Sequence, residues 1–334
     1  LKKARFLFLP LGLLYQATMA LRNWLFDRGI LPALRSSIFS IGVGNLSMGG
    51  TGKSVVVMYL IKTLQEKNRM AVLSRGYGRK TKGLLVGDSK DSAATLGDEP
   101  FQFMNRYPKT RVVVSEKRTL GIKAIEAMKP IPEIIVCDDV MQHRWVSPHL
   151  MIMTTSFENP FSRDFIFPVG GLRESRSGVK RAAVVLITKT PEDFSPFQKA
   201  EYLREINIKA PVLFTKIRYE EFLIQNDKPV DIKILSTGFL LVTGIADTSH
   251  LTEYLEKQYG PFDHMKFGDH HSYTAVDGSA ILDRAGGKII LTTEKDHAKL
   301  QEIVGDDRLY CLRIALDFVF QEERKTFDQL ITAV

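Results

Sequence analysis

Gly49, Gly50, Thr51, Gly52, Lys53 and Ser54 stand in a row, a few places after an apolar run that ends at Val43. Glycines let backbone N–H groups turn toward an anion with no side chain in the way. A lysine at the end of such a turn offers a point charge to the β- and γ-phosphates of a nucleotide. The hydroxyl of a serine after it offers a ligand to Mg²⁺. Val55, Val56, Val57, Met58 and Leu60 follow and can open a helix, whose positive end falls on the same spot. These residue types in this order make a phosphate-binding loop. The common spacing has glycine five places before the Gly-Lys pair, where this chain has Ser47. The alternative, a glycine turn that only packs a helix on a sheet, does not account for Lys53-Ser54.

A second chemical signal lies downstream. The apolar run 131–137 ends in Asp138-Asp139, followed by Val140, Met141, Gln142 and His143. Carboxylates at the end of a buried strand are what a phosphate loop needs to hold Mg²⁺ or its water. Two adjacent carboxylates can also be an ordinary surface turn. Gly97-Asp98-Glu99-Pro100 reads on its own as the acidic start of a helix.

The elements around these residues read as alternating strands and helices. The stretches 69–74, 111–115, 131–137, 150–154 and 182–188 are strand candidates, with helical stretches after several of them. That alternation predicts an α/β fold with a parallel sheet covered on both faces. Arg75-Gly76-Tyr77-Gly78-Arg79 follows a strand's C-terminal end and reads as a ligand-side loop or a plain surface loop, and Pro168-Val169-Gly170-Gly171-Leu172-Arg173-Glu174 is a turn that carries an arginine and a carboxylate. Between 202 and 236 the pattern weakens, with the polar stretch Gln225-Asn226-Asp227-Lys228-Pro229, so the domain junction is expected there. The expected organisation is an N-terminal segment 1–36, a phosphate-loop core 37–225 and a smaller α/β domain 226–334. That last domain carries Asp269-His270-His271 and Thr293-Glu294-Lys295-Asp296, where Thr293 with Asp296 reads as a helix cap.

The N-terminal segment has Lys2, Lys3 and Arg5 before an apolar run, then Leu11, Leu14, Ala17, Leu21, Trp24 and Leu25 on one helical face. It predicts an interfacial helix on an anionic membrane surface. A signal peptide and a helix packed on the core are the alternatives. Across 334 residues, 46 basic and 38 acidic side chains give +8, which favours an anionic partner. No basic stretch interleaves with aromatics, so no nucleic-acid partner is expected. Cys137 and Cys311 lie far apart in apolar runs, as buried thiols of a reducing compartment would.

Taken together and in order, the phosphate loop with 43–47, 73–78, 97–100, Asp138-Asp139 with Gln142-His143, 171–174, Asp269-His270-His271 and 293–296 resemble the tetraacyldisaccharide 4'-kinases, the lipid A 4'-kinases of Gram-negative bacteria. Val140 replaces a glycine usual in that family, and Ser54 stands where threonine is common. The resemblance implies transfer of the γ-phosphate of ATP, with Mg²⁺, to the 4'-hydroxyl of an acylated disaccharide 1-phosphate. The site would be at the cytoplasmic face of the inner membrane, on a protein expected to act as a monomer. It implies Asp98 as the base, His270 as its partner and Lys53 as the charge stabiliser. Gly49 to Ser54, Arg118 and Arg173 would bind phosphate. Ser54, Asp138, Asp139 and Glu174 would hold the metal, supported by Gln142 and His143.

Two rivals are of other classes. A membrane-positioning ATPase with a deviant phosphate loop shares Gly-Gly-x-Gly-Lys-Ser but carries a lysine where this chain has Met48. A nucleotide-gated membrane module would bind ATP and transfer nothing. Metal phosphoesterases share the Asp-His-His triplet, but the spaced aspartate pairs that they need are not evident.

Overall fold

The computed structural model describes residues 8–269, 271–305 and 307–333. The chain forms two compact units, one of residues up to 217 with 316 onward, the other of residues 218–315.

In the first unit, helix α1 (Leu9–Asp27) precedes strand β1 (Phe39–Asn45) and helix α2 (Lys53–Leu64). Then come β2 (Met70–Ser74), β3 (Leu85–Val86), α3 (Ala93–Leu96), α4 (Asp98–Arg106), β4 (Arg111–Val114) and α5 (Arg118–Glu126). The unit continues with β5 (Ile134–Cys137), β6 (Leu150–Ser156), β7 (Val184–Thr188), α6 (Pro196–Ile206) and the start of β8 (Val212–Gln225). The strand order is β8-β7-β6-β1-β5-β2-β4-β3, parallel except for β3 on the edge. Strand β1 is central, with Gly42 opposite both Cys137 of β5 and Met151 of β6. The chain leaves β1 toward β2 on one side and returns from β5 to β6 on the other. The loop after β1 therefore sits at a topological switch point, where open α/β sheets bind ligands. The valines that open α2 have modest helix propensity. Burial overrides it, since Val56 and Val57 are wholly inaccessible on the sheet face.

The second unit holds β9 (Lys228–Asp231), β10 (Phe239–Thr243), α7 (Ser249–Tyr259), β11 (Asp263–Lys266) and α8 (Ala275–Ala285). It ends with β12 (Ile289–Thr293), α9 (Glu294–Val304) and most of β13 (Leu309–Phe318). Its parallel strands run β11-β10-β12-β13.

The division differs from the expected 37–225 and 226–334. The chain leaves the first unit inside β8 and returns inside β13. The polar stretch expected as a linker is a hairpin turn. Gln225 pairs with Lys228, and Asn226 and Asp227 between them have φ of 45° and 60°. Positive φ at both central residues is the signature of a type I′ turn between twisted strands. The last segment, including α10 (Gln321–Thr332), belongs to the first unit. There Phe327 is fully buried, Tyr59 donates to Asp328 Oδ1 at 2.6 Å, and Glu323 accepts the Phe214 N–H at 2.6 Å.

Candidate active site

The loop between β1 and α2 is held from three sides. Asn45 Nδ2 donates to Ser47 O at 2.7 Å and Thr51 Oγ1 at 2.8 Å. Thr51 Oγ1 also lies 2.8 Å from Thr154 Oγ1, and Thr188 Oγ1 donates to Thr51 O at 3.0 Å. On the far side, Met48 N donates to Gly171 O and Arg173 N to Leu46 O, both at 2.7 Å. Gly52 closes the turn with φ of 76°, the left-handed region, directly before Lys53 starts α2. A side chain there would be strained by backbone geometry alone.

Four side chains from four segments meet in pairs beside the loop. Ser54 Oγ donates to Glu99 Oε1, and Ser74 Oγ donates to Asp138 Oδ2 at 2.8 Å. Asp138 is 2 % exposed, and its Oδ1 has no hydrogen-bond partner. Burial, then the nearby Glu99 and Asp139 carboxylates, push its carboxyl up to about 7. An orphaned buried carboxylate oxygen beside a second carboxylate and a hydroxyl is costly unless a cation joins them. Among the described residues no three His, Cys, Asp or Glu side chains gather as a metal cage. Mg²⁺ needs none, since it is commonly held by one or two carboxylates together with substrate phosphates. The donor set Ser54, Asp138 and Glu99 fits that ion.

Glu99 is the residue that sequence reasoning missed. Its signal was present, an acidic pair directly behind Gly97, but the helix-start explanation was equally good for both. Gly97 has φ of 93°, and a Cβ there would lie 2.8 Å from Tyr77 O. The loop after β2 therefore lies directly on the turn into α4, which only glycine permits. It fixes Asp98 at the first position of α4, next to the residue bonded to Ser54.

Other expected site residues have different surroundings. Asp139, at φ of 46°, is 3.6 Å from Lys53 Nζ and accepts from Arg173 Nη1 at 3.1 and 3.2 Å. Burial raises its carboxyl, but Lys53 and Arg173 outweigh that and hold it low. It is the resting counter-ion of two cations and not an open ligand. Glu174, expected as a metal ligand, is fully buried and already satisfied. It accepts from Asn23 at 2.7 Å, Gln142 at 3.0 Å and Arg181 at 2.7 Å. Arg118, expected to clamp phosphate, is 3 % exposed and donates to Ser115 O at 2.7 Å and Asp138 O at 3.5 Å. Its local work is to hold the ends of β4 and β5. Gln142 links the loop to this network by donating to Asn45 O at 2.7 Å.

His143 is half-buried. Burial, with Arg118 nearby, pushes its imidazole down to about 4. The unfolded chain takes up this proton near pH 6.5, the fold only near 4, so stability should fall as pH drops across that window. The loss is at most about 3 kcal/mol, and His143→Gln should flatten the slope. Denaturant unfolding at pH 7, 5.5 and 4 measures it. Equal slopes for both proteins would reject the assignment.

In the second unit, His271 Nε2 lies 3.2 Å from Asp277 Oδ2 and stacks on Phe267 at 4.8 Å. His270 lies outside the described residues. Asp296 Oδ2 accepts from Gly244 N at 2.9 Å and Thr293 Oγ1 at 2.7 Å. Thr293 precedes α9 but makes no side-chain cap bond, so the pair ties two strand ends together instead of capping the helix.

The model of the family described as tetraacyldisaccharide-1-P 4'-kinase, LpxK, matches residues 4–334. A tetraacyldisaccharide 4'-kinase of Flavobacterium johnsoniae is 38% identical over 317 residues, 94% of this chain and 93% of that protein. One from Bacteroides thetaiotaomicron is 34% identical, over 96% of this chain and 91% of that protein. A crystal structure described as the "apo" form of LpxK from Aquifex aeolicus in complex with ATP has a TM-score of 0.79 at 30% identity. It covers 98% of this chain, and this chain covers 99% of it. With a phosphate loop at the switch point and an acidic pocket beside it, the chain belongs to the tetraacyldisaccharide 4'-kinase family.

Proposed function

We propose that the protein binds ATP and transfers its γ-phosphoryl group to the 4'-hydroxyl of an acylated disaccharide 1-phosphate, giving the bis-phosphorylated lipid A precursor. The observation that carries the reading is the pairing of Ser54 and Glu99 beside the orphaned Asp138 oxygen, at the mouth of the Lys53 loop. The loop amides and Lys53 bind the β- and γ-phosphates and oppose the charge that grows on them. To do so, Lys53 turns from Asp139 toward the phosphate, and Arg173 keeps Asp139 neutralised. Mg²⁺, held by Ser54 and Asp138 with Glu99 alongside, would supply a further positive charge to the phosphoryl oxygens. Asp98 takes the hydroxyl proton as the sugar oxygen bonds to the γ-phosphorus and the bond to the β-phosphate oxygen breaks, releasing ADP.

The acceptor sits in lipid, and α1 supports a peripheral seat there. Its inward side carries Gly12 and Phe26, both buried, with Tyr15, Arg22 and Asn23 half-buried. Its outward side carries Leu11, Leu14, Leu21 and Trp24, between 48% and 66% exposed. A soluble surface helix has the opposite arrangement. No helix among the described residues is long and apolar enough to cross a membrane. The cytoplasmic face of the inner membrane is the side where ATP and this acceptor coincide. Leu14→Glu with Leu21→Glu should lower partition into anionic vesicles at least roughly tenfold with little change in thermal stability, because both side chains are already in solvent. Flotation equal to that of the parent protein would reject the interfacial seat.

The test of the function is transfer of label from γ-labelled ATP to the glycolipid in mixed vesicles, set against phosphate release without acceptor. A positioning ATPase releases phosphate without labelling lipid, and a binding module does neither.

A further inference from the structure

The polar side of α1 does more than attach a helix. Asn23 Nδ2 donates to Glu174 Oε2 at 2.7 Å, Asn23 Oδ1 accepts from Arg22 at 3.1 Å, and Asn23 O accepts from Arg144 at 2.8 Å. Arg144 also pairs with Asp27 at 2.7 Å and lies over the Phe26 ring. Glu174 passes the contact inward. Its other oxygen accepts from Gln142 Nε2 at 3.0 Å and Arg181 at 2.7 Å. Gln142 Oε1 accepts from Arg173 Nη1 at 3.3 Å, and the same Nη1 holds Asp139, the counter-ion of Lys53. A second tether runs from Tyr15 OH to Arg173 O at 2.8 Å. Both tethers reach the strip 171–174, whose backbone is bonded to the phosphate loop at Leu46 and Met48.

We propose that Asn23 is a positioning residue of the phosphate site. It acts through Glu174 and Gln142 on Arg173 and Asp139, so that the seating of α1 and the freedom of Lys53 to meet a phosphate are coupled. The coupling rests on the kinase reading of that site, whereas the hydrogen-bond relay does not. A fully buried carboxylate tolerates no loss of partners without rearrangement. Without the Asn23 amide, Glu174 draws its remaining donors, Gln142 and Arg181, toward the vacated oxygen. Gln142 then withdraws its acceptor from Arg173, and Arg173 and Lys53 are left to share Asp139 in an altered balance. Lys53 held more closely by Asp139 is a weaker ligand for ATP. A helix needed only as glue would turn its leucines inward. This one faces them outward and gives its inward positions to the strip that braces the loop.

The experiment uses the full chain with Asn23→Ala, Glu174→Gln and the double variant. Alanine is the best helix former, so α1 itself is preserved in Asn23→Ala. The readouts are the dissociation constant for Mg·ATP, turnover on glycolipid vesicles, flotation and the thermal midpoint. Asn23→Ala is expected to weaken ATP binding about fivefold and lower turnover about tenfold at temperatures where it is fully folded, with flotation unchanged and the midpoint lowered by the loss of one donor to a buried carboxylate. In the Glu174→Gln background it should add nothing further, because the relay is already broken there. Parental affinity and turnover in Asn23→Ala would overturn the proposal. So would losses that multiply in the double variant, or a loss seen only where the variant is partly unfolded. A parent protein that labels no lipid overturns the kinase reading instead, and the nucleotide-affinity arm still decides the relay.

Discussion

Asp98→Ala should lower turnover by roughly two to four powers of ten while leaving ATP affinity nearly intact. A sugar hydroxyl is a weak nucleophile, and its proton must leave as the phosphoryl group arrives. Asp98 is the first residue of α4, on a turn pressed against Gly76 and Tyr77, with its neighbour Glu99 bonded to Ser54. It therefore stands next to the residue that meets Ser54, and it is not one of the amides or the ammonium proposed to grip the triphosphate. The variant should bind nucleotide, hold its glycolipid and stall at the transfer step. Asp98→Asn should stall equally, because it keeps the shape and lacks the base. Steady-state turnover with equilibrium ATP binding separates the cases. Near-normal turnover would remove Asp98 from the mechanism, and a parallel loss of ATP affinity would mean that the helix start had collapsed.

The parts of this site that were legible in the sequence are those in which residue type and chemistry coincide. Gly49 to Ser54 can be read because few other uses need three glycines, a lysine and a hydroxyl together. Asp138 can be read because a carboxylate that ends a buried strand has few structural reasons to be there. The division of labour among the carboxylates was not legible. Asp139, Glu174 and Glu99 are alike as letters, and only the packing tells that the first is paired with Lys53 and Arg173 and the second with Asn23, Gln142 and Arg181. The third meets Ser54. The fold class was legible from the alternation of apolar runs. The domain junction was not, because Asn226-Asp227 serves equally as linker composition and as a type I′ turn, and long-range pairing chose the turn. Nor did the pattern reveal that α10 closes the first unit, since that return depends on contacts such as Tyr59 with Asp328, far apart in sequence.

Asp138→Asn should abolish most of the activity and at the same time stabilise the metal-free protein. The carboxyl is buried beside Glu99 and Asp139 and titrates at about 7, against 3.8 in an unhindered aspartate. A fold that holds this proton more tightly than the unfolded chain does loses stability as pH rises from about 4 to 7. The cost reaches on the order of a few kcal/mol above that window and is absent below it. Asparagine keeps an oxygen for the Ser74 hydroxyl and turns an amide toward the two carboxylates, so it removes the charge and satisfies the orphaned position. The gain in unfolding free energy should therefore be near zero at pH 4 and largest at pH 8. Added Mg²⁺ should narrow it, by stabilising the parent protein and not the variant. Turnover, in contrast, should fall by roughly two powers of ten or more, because an amide is a poor ligand for a hard divalent cation. Denaturant melts at both pH values, with and without Mg²⁺, test the first half, and transfer kinetics test the second. A variant both less stable and less active would mean that Asp138 is held for packing. One more stable and inactive is what a carboxylate kept for catalysis, at the fold's expense, must give.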